Sequence, residues 1–181
     1  WSTLAMAGQW SDICTNHSRI KFSFVSGRSV FFNDSRNFGT IKFVRGRHQM
    51  LKKLKSFGPD LLAEDISDQE FIKIVKKNSN WGITRVLMDS SLIAGIGNYI
   101  KSDSLWLSQI SPHRTVSDLS DGELAVLNRS VKQVMKEAYS KSETSKKYFV
   151  YGKTMDIDGN KVVKEETDDK RSTYWAPEVQ K

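Results

Sequence analysis

Cys14 is the only cysteine in this 181-residue chain, so no intrachain disulfide can form, and a reducing compartment is implied. In its strand-like setting that thiol is expected to be a small buried apolar side chain. The three histidines (His17, His48 and His113) are too scattered to complete a four-ligand zinc site with it. No apolar run approaches the roughly 18 residues needed to span a bilayer, and no stretch reads as a secretory leader. Acids are almost missing from residues 17–57, where ten Lys or Arg face only Asp34, a net of +9. Residues 60–70 then hold five acids and no base. A total charge of +7 suits a nucleic-acid binder, and the clustering is what a backbone-binding surface needs.

Turning to what is present, Trp1, Thr3, Leu4 and Met6 read as strand. A chain rarely starts inside a sheet, so the natural N-terminus is expected to lie upstream. Ile20, Phe22 and Phe24 alternate with Lys21 and Ser23, the period of a half-buried strand. Ser26-Gly27 turns the chain back into Val30-Phe31-Phe32. A further strand is expected at 40–44 and a short helix at 47–56, closed by Gly58-Pro59. Capping boxes at Ser67–Glu70 and Ser120–Glu123 open two helices. The second is long, with Leu124, Leu127, Val131, Val134 and Ala138 on one side. Residues 140–147 are linker-like. Strands are expected at 148–151 and 161–163 around the turn signal Asp158-Gly159, and again at 171–175.

Between the helices lies Leu92-Ile93-Ala94-Gly95-Ile96-Gly97-Asn98-Tyr99-Ile100. Two glycines one residue apart allow a sharp turn and a close approach. Asn98 stands where a helix should begin, with Tyr99, Ile100, Leu105 and Trp106 as its apolar face. A helix start offers unpaired N–H groups to a phosphate. The same residues also suit a plain inter-helix turn with Asn98 as N-cap.

Leu87-Met88-Asp89, Gly95 to Ile100, and Ile110-Ser111-Pro112-His113-Arg114 resemble the helix–two-turn–helix of formamidopyrimidine-DNA glycosylases and endonuclease VIII-like enzymes. Leu4-Ala5-Met6-Ala7-Gly8, Asp34-Ser35-Arg36-Asn37-Phe38-Gly39 and Arg171-Ser172-Thr173-Tyr174-Trp175 follow the same family order, so the resemblance spans essentially the whole chain. It implies an α+β fold. A partial antiparallel β-sandwich covers 1–58, a helix–two-turn–helix domain 59–145 and a C-terminal β-hairpin finger 146–181. Most of the family holds that finger with four cysteines on zinc. Ala176 and Val179 stand where cysteines would fall, so the resemblance is to the zincless subset. Packing by Tyr151, Tyr174 and Trp175 would replace the metal, with no cofactor.

The resemblance implies a base-excision-repair DNA glycosylase with AP lyase activity that removes oxidised bases, with a tilt toward oxidised pyrimidines and ring-opened purines. The alternative is a non-catalytic damaged-DNA-binding module. Ribosomal or topoisomerase proteins that reuse the helical motif would lack Arg36-Asn37-Phe38 and the finger. The implied partner is damaged double-stranded DNA, bound by a monomer away from membranes, in the nucleus or wherever the DNA is replicated.

A glycosylase takes its target base out of the stack and must fill the hole. By resemblance Met6, Arg36 and Phe38 are the void-filling set. Asn98, the amides around Gly97, and Arg171 form a pincer on phosphates, and His17 is a further DNA contact. Arg171 is also the implied catalytic proton donor late in strand cleavage. The family's nucleophile is an N-terminal proline amine, and no residue here matches it, the glutamate after it or a further family lysine. The family's lysine-rich approach to Leu87-Met88-Asp89 reads Ser79-Asn80-Trp81-Gly82, with only Lys76 or Lys77 nearby.

Overall fold

The computed structural model describes residues 1–5, 7–140 and 147–181. Met6 and the linker reading at 141–146 therefore lie outside the described residues. The chain divides into two compact units, residues 1–53 and 54–181.

In the first unit β1 (Ser2–Thr3) pairs antiparallel with β5 (Thr40–Ile41). A three-stranded antiparallel sheet has the order β2 (Gly8–Ser11), β4 (Ser29–Asp34), β3 (Ser18–Ser23). The alternation at Ile20 and Phe22 does form a strand, and the hairpin turns at Gly27, whose φ of +83° explains the glycine. Two expected strands are shorter than their sequence pattern. The first ends where Ala5 takes φ +49° and Gly8 N–H bonds back to the Leu4 carbonyl. The strand expected at 40–44 stops at Ile41. Helix α1 spans Arg47–Leu54 and buries nothing. Cys14 is a correction: it is exposed, in the turn between β2 and β3 rather than inside a strand.

The second unit holds α2 (Asp68–Lys76), α3 (Ile83–Met88), α4 (Asn98–Leu107) and α5 (Asp121–Ser140), then the hairpin β6 (Val163–Glu166) and β7 (Ser172–Trp175). Both capping boxes form: Ser67 exchanges bonds with Glu70, and Ser120 with Glu123. A third, Thr115 with Asp118, caps a single 3-10 turn. Phe71, Val75, Ile83, Leu87, Leu105, Leu124, Leu127 and Val131 make one continuous core. Each such side chain contributes roughly 1.5–3 kcal/mol by leaving water.

Helix α4 departs from the amphipathic expectation. Every residue from Ile100 to Trp106 is buried, including Lys101, Ser102, Asp103 and Ser104. Ile100 and Leu105 face the helical core, while Lys101, Ser102, Asp103 and Trp106 meet the finger. Residues 148–151 are not the expected strand. Instead the Asp103 carboxylate accepts the amides of Phe149, Val150 and Tyr151, each at 3.0 Å. Burial pushes the Asp103 carboxyl up, while the three N–H donors favour its charged form. The Asp158-Gly159 turn is present, closed by Asp156 N–H to the Asn160 carbonyl, with Gly159 at φ +87°. Trp106 donates its indole N–H to Asp156 at 3.0 Å and stacks on Phe149.

Ala176 is fully buried against Trp106, Val150 and Val162, with Val179 packed on that cluster. The residues at these family cysteine positions are apolar and do not fit a zinc ion. Tyr174 joins the packing and meets Tyr151 edge-on. Trp175 instead donates to Glu165 and meets the His113 ring edge-on. Among the described residues no group of three or more His, Cys, Asp or Glu could hold a metal. No helix among them is long and apolar enough to cross a membrane.

Candidate nucleic-acid interface

In the first unit the sequence-predicted residues gather at one end of the β3–β4 hairpin. Asp34 ends β4, and its buried carboxylate accepts the amides of Arg36, Asn37 and Gly39. Those bonds, Gly39's above all, hold its carboxyl below the usual range. They fold the loop into a rigid bend, with Asn37 at φ +57°, that projects Arg36 and Phe38. Phe38 is 68% exposed, unlike a core aromatic. His17 is exposed and enters the same corner, where its carbonyl accepts Asp34 N–H. A cleft of about 270 Å3 lies beside it, lined by Gln9, Thr15, Asn16, Asn33 and Asp34.

In the second unit Gly95 carries φ +86°, which demands glycine, and Gly97 is extended, with open space where a Cβ would stand. Gly97 is the N-cap of α4 and Asn98 its first helical residue, which corrects Asn98 as N-cap. The Asn98 side chain reaches forward to the finger, donating Nδ2 to the Ser172 carbonyl at 2.9 Å, while its buried Oδ1 has no partner. The structure thus brings Asn98 beside Arg171, the residue before Ser172. The amides of the first turn of α4 lack intrahelical acceptors, as at any helix start.

A cleft of about 520 Å3 opens next to them, lined by Arg85, Met88, Asp89, Ser90 and residues 168–171. Its acids are engaged internally. Asp89 is held below the usual carboxylate range by the Ser91 hydroxyl and amide, Asp168 accepts Gly82 N–H at 2.9 Å, and Asp169 pairs with Lys101. Among the described residues Arg85, Lys170 and Arg171 form no ion pair. With Asp169 paired to Lys101, the cations Arg85, Lys170 and Arg171 outnumber the remaining carboxylates Asp89 and Asp168 by one, so the cleft carries a small net positive charge.

Arg85 is missing from the sequence reading. It follows the buried Thr84, and its guanidinium carbon lies over the Trp81 ring, 3.7 Å from the centroid. The available signal was a Trp and an Arg four positions apart at a helix start. Neither Lys76 nor Lys77 lines this cleft, and Lys76 pairs with Asp121. Ser111-Pro112-His113-Arg114 fastens structure instead. Arg114 binds Glu123, His113 contacts Glu165, and Ser111 N–H bonds the Lys181 carbonyl.

Residues 57–149 match the formamidopyrimidine-DNA glycosylase H2TH domain, and residues 140–181 match the formamidopyrimidine-DNA glycosylase C-terminal domain. This chain belongs to the formamidopyrimidine-DNA glycosylase family. The Pediococcus pentosaceus formamidopyrimidine-DNA glycosylase is 33% identical over 116 residues, 64% of this chain and 42% of that protein. The Rickettsia africae formamidopyrimidine-DNA glycosylase is 32% identical over 157 residues, 82% of this chain and 56% of that protein. The chain thus spans about half the length of these relatives. Among solved structures, Lactococcus lactis formamidopyrimidine-DNA glycosylase, non-covalently bound to DNA containing an AP site, superposes with a TM-score of 0.87 at 25% identity. That match covers 99% of this chain and 73% of the other. The Thermus thermophilus protein superposes at 0.83 with 26% identity, covering 99% and 74%.

Proposed function

We propose that this chain binds damaged double-stranded DNA in the service of a base-excision glycosylase/AP lyase that removes oxidised bases. Residues 1–58 supply the void-filling side chains Met6, Arg36 and Phe38, with His17 as a flanking contact. Residues 59–145 and the finger at 146–181 supply the phosphate pincer of Gly97, Asn98 and Arg171. The observation that carries the reading is the second cleft. The start of α4 and the Arg171 turn are bonded side by side, their neighbouring carboxylates are internally engaged, and the space beside Gly97 is clear. A backbone phosphate suits such a place, because it accepts N–H donors and neutralises cations without needing sequence. Arg85 and Lys170 add two further cations to the same cleft.

Binding to duplexes with and without an abasic analogue, over a salt series, tests this. Asn98→Ala and Arg171→Ala should each weaken binding, and Arg171→Ala should reduce the salt slope by about 1. Met6→Ala and Phe38→Ala should leave the slope unchanged and lower only the preference for the abasic duplex, since a wedge offsets unstacking where a nucleotide has left the helix. Equal weakening on intact and abasic duplex by Phe38→Ala would make Phe38 a structural residue. Arg171 in its second role would donate a proton late in strand cleavage.

A second reading is a damaged-DNA-binding module without lyase chemistry: both clefts described above are assigned to DNA contacts and neither to an amine nucleophile. Borohydride trapping on abasic DNA separates the readings. No adduct is expected on this chain alone, and a strong adduct would place the amine nucleophile within it.

A further inference from the structure

Arg171 is bracketed. Two residues before it, Asp169 turns inward to Lys101 at 2.6 Å, and one residue after it the Ser172 carbonyl accepts from Asn98 at 2.9 Å. Both anchors sit on α4, one helical turn apart, so a single helix face fixes the chain on either side of Arg171. The turn itself is stiff. Lys170 takes φ +59°, Lys170 N–H bonds the Thr167 carbonyl, and Thr167 N–H bonds the Arg171 carbonyl. The Thr167 hydroxyl links Asp169 and Thr173 at 2.7 Å each.

The Lys101–Asp169 pair is almost dry, with side chains 0% and 4% exposed. A buried ion pair is seldom more stabilising than apolar side chains of the same size, but its short charge-assisted bond fixes direction as well as proximity. Lys101 would otherwise be a buried cation close to Arg171. Asp169 neutralises it, so the charge of the cleft is set by the solvent-facing Arg85, Lys170 and Arg171 against Asp89 and Asp168. We propose that Lys101 and Asp169 are positioning residues that hold the Arg171 guanidinium in register with the first turn of α4, so that both grip one phosphodiester. This rests on the DNA reading above.

A double-mutant cycle on the 181-residue chain tests it, with affinity for an abasic-analogue duplex as the readout. Asp169→Asn should weaken binding about tenfold when Arg171 is present, and less than about twofold in the Arg171→Ala background. It should also lower the salt slope as Arg171→Ala does. Equal weakening in both backgrounds would overturn the inference and leave the pair a mere fold anchor. Lys101→Met with Asp169→Leu should restore the unfolding midpoint while binding stays weak, and it carries the test if Asp169→Asn fails to fold. Wild-type affinity in that apolar double variant would overturn the inference. A wild-type chain with no preference for the abasic duplex would overturn the DNA reading and this inference with it. Additive effects on a binding-competent chain would overturn this inference alone.

Discussion

The two units differ sharply in how they are held. Among the described residues, 54–181 contain all but one of the buried apolar side chains, and 1–53 contribute Phe32 alone. In the first unit Ile13, Phe24, Val25 and Phe43 are each more than half exposed. Its order comes from strand ladders, the Asp34 bend and rings such as Trp10 packed between Phe22 and Phe32. The second unit has a deep core and, on α4, a set of buried polar anchors. Small sheets with little buried surface are marginal. The residues assigned to sensing a lost base are thus on the weaker frame, and those assigned to gripping phosphate are on the stronger one.

The largest test of this contrast is Asp103→Ala. It leaves three finger amides without their acceptor, and a cost of about 3–5 kcal/mol in the second unit's unfolding free energy is expected in denaturant. A cost below about 1 kcal/mol would mean that the finger is not anchored through α4. Next in size, native-state hydrogen exchange should find the β3–β4 amides at least about 100-fold less protected than those of α4 and α5, a gap near 3 kcal/mol. Equal protection would merge the units into one cooperative block. The smallest is Glu123→Gln. Arg114, with the Ser120 amide and hydroxyl, holds the Glu123 carboxyl at about 2, against an ordinary 4.5. Its contribution is present above the unfolded value and disappears as pH falls through the folded one. The variant should therefore be about 1 kcal/mol less stable at neutral pH, a modest loss because the pair is partly exposed. Its difference from wild type should close between pH 4.5 and pH 2. A gap unchanged across that window would remove the charge from the explanation.

What was legible in the sequence was local. The capping boxes at Ser67 and Ser120, the hairpin at Gly27 and the turn at Gly95 each depend on residues within a few positions of one another. The anchors were not legible, because Asp103, Lys101 and Trp106 find partners 46 to 68 residues away. Periodicity shows that α4 has a polar face and cannot say what covers it. Asn98 illustrates the limit within the candidate site: its position at a helix start was readable, but the direction of its side chain depends on a finger 74 residues later in the chain. Cys14 failed for the opposite reason, since the exposed turn around it has no strong sequence marker.

The polar composition of the hidden side of α4 bears on the order of synthesis. Helix α4 leaves the ribosome well before residues 149–176, which close over that side. Until then Lys101, Ser102 and Asp103 face water, their preferred surroundings. A nascent chain waiting for its finger therefore exposes Trp106 set among hydrated side chains, where a continuous oily seam would invite aggregation.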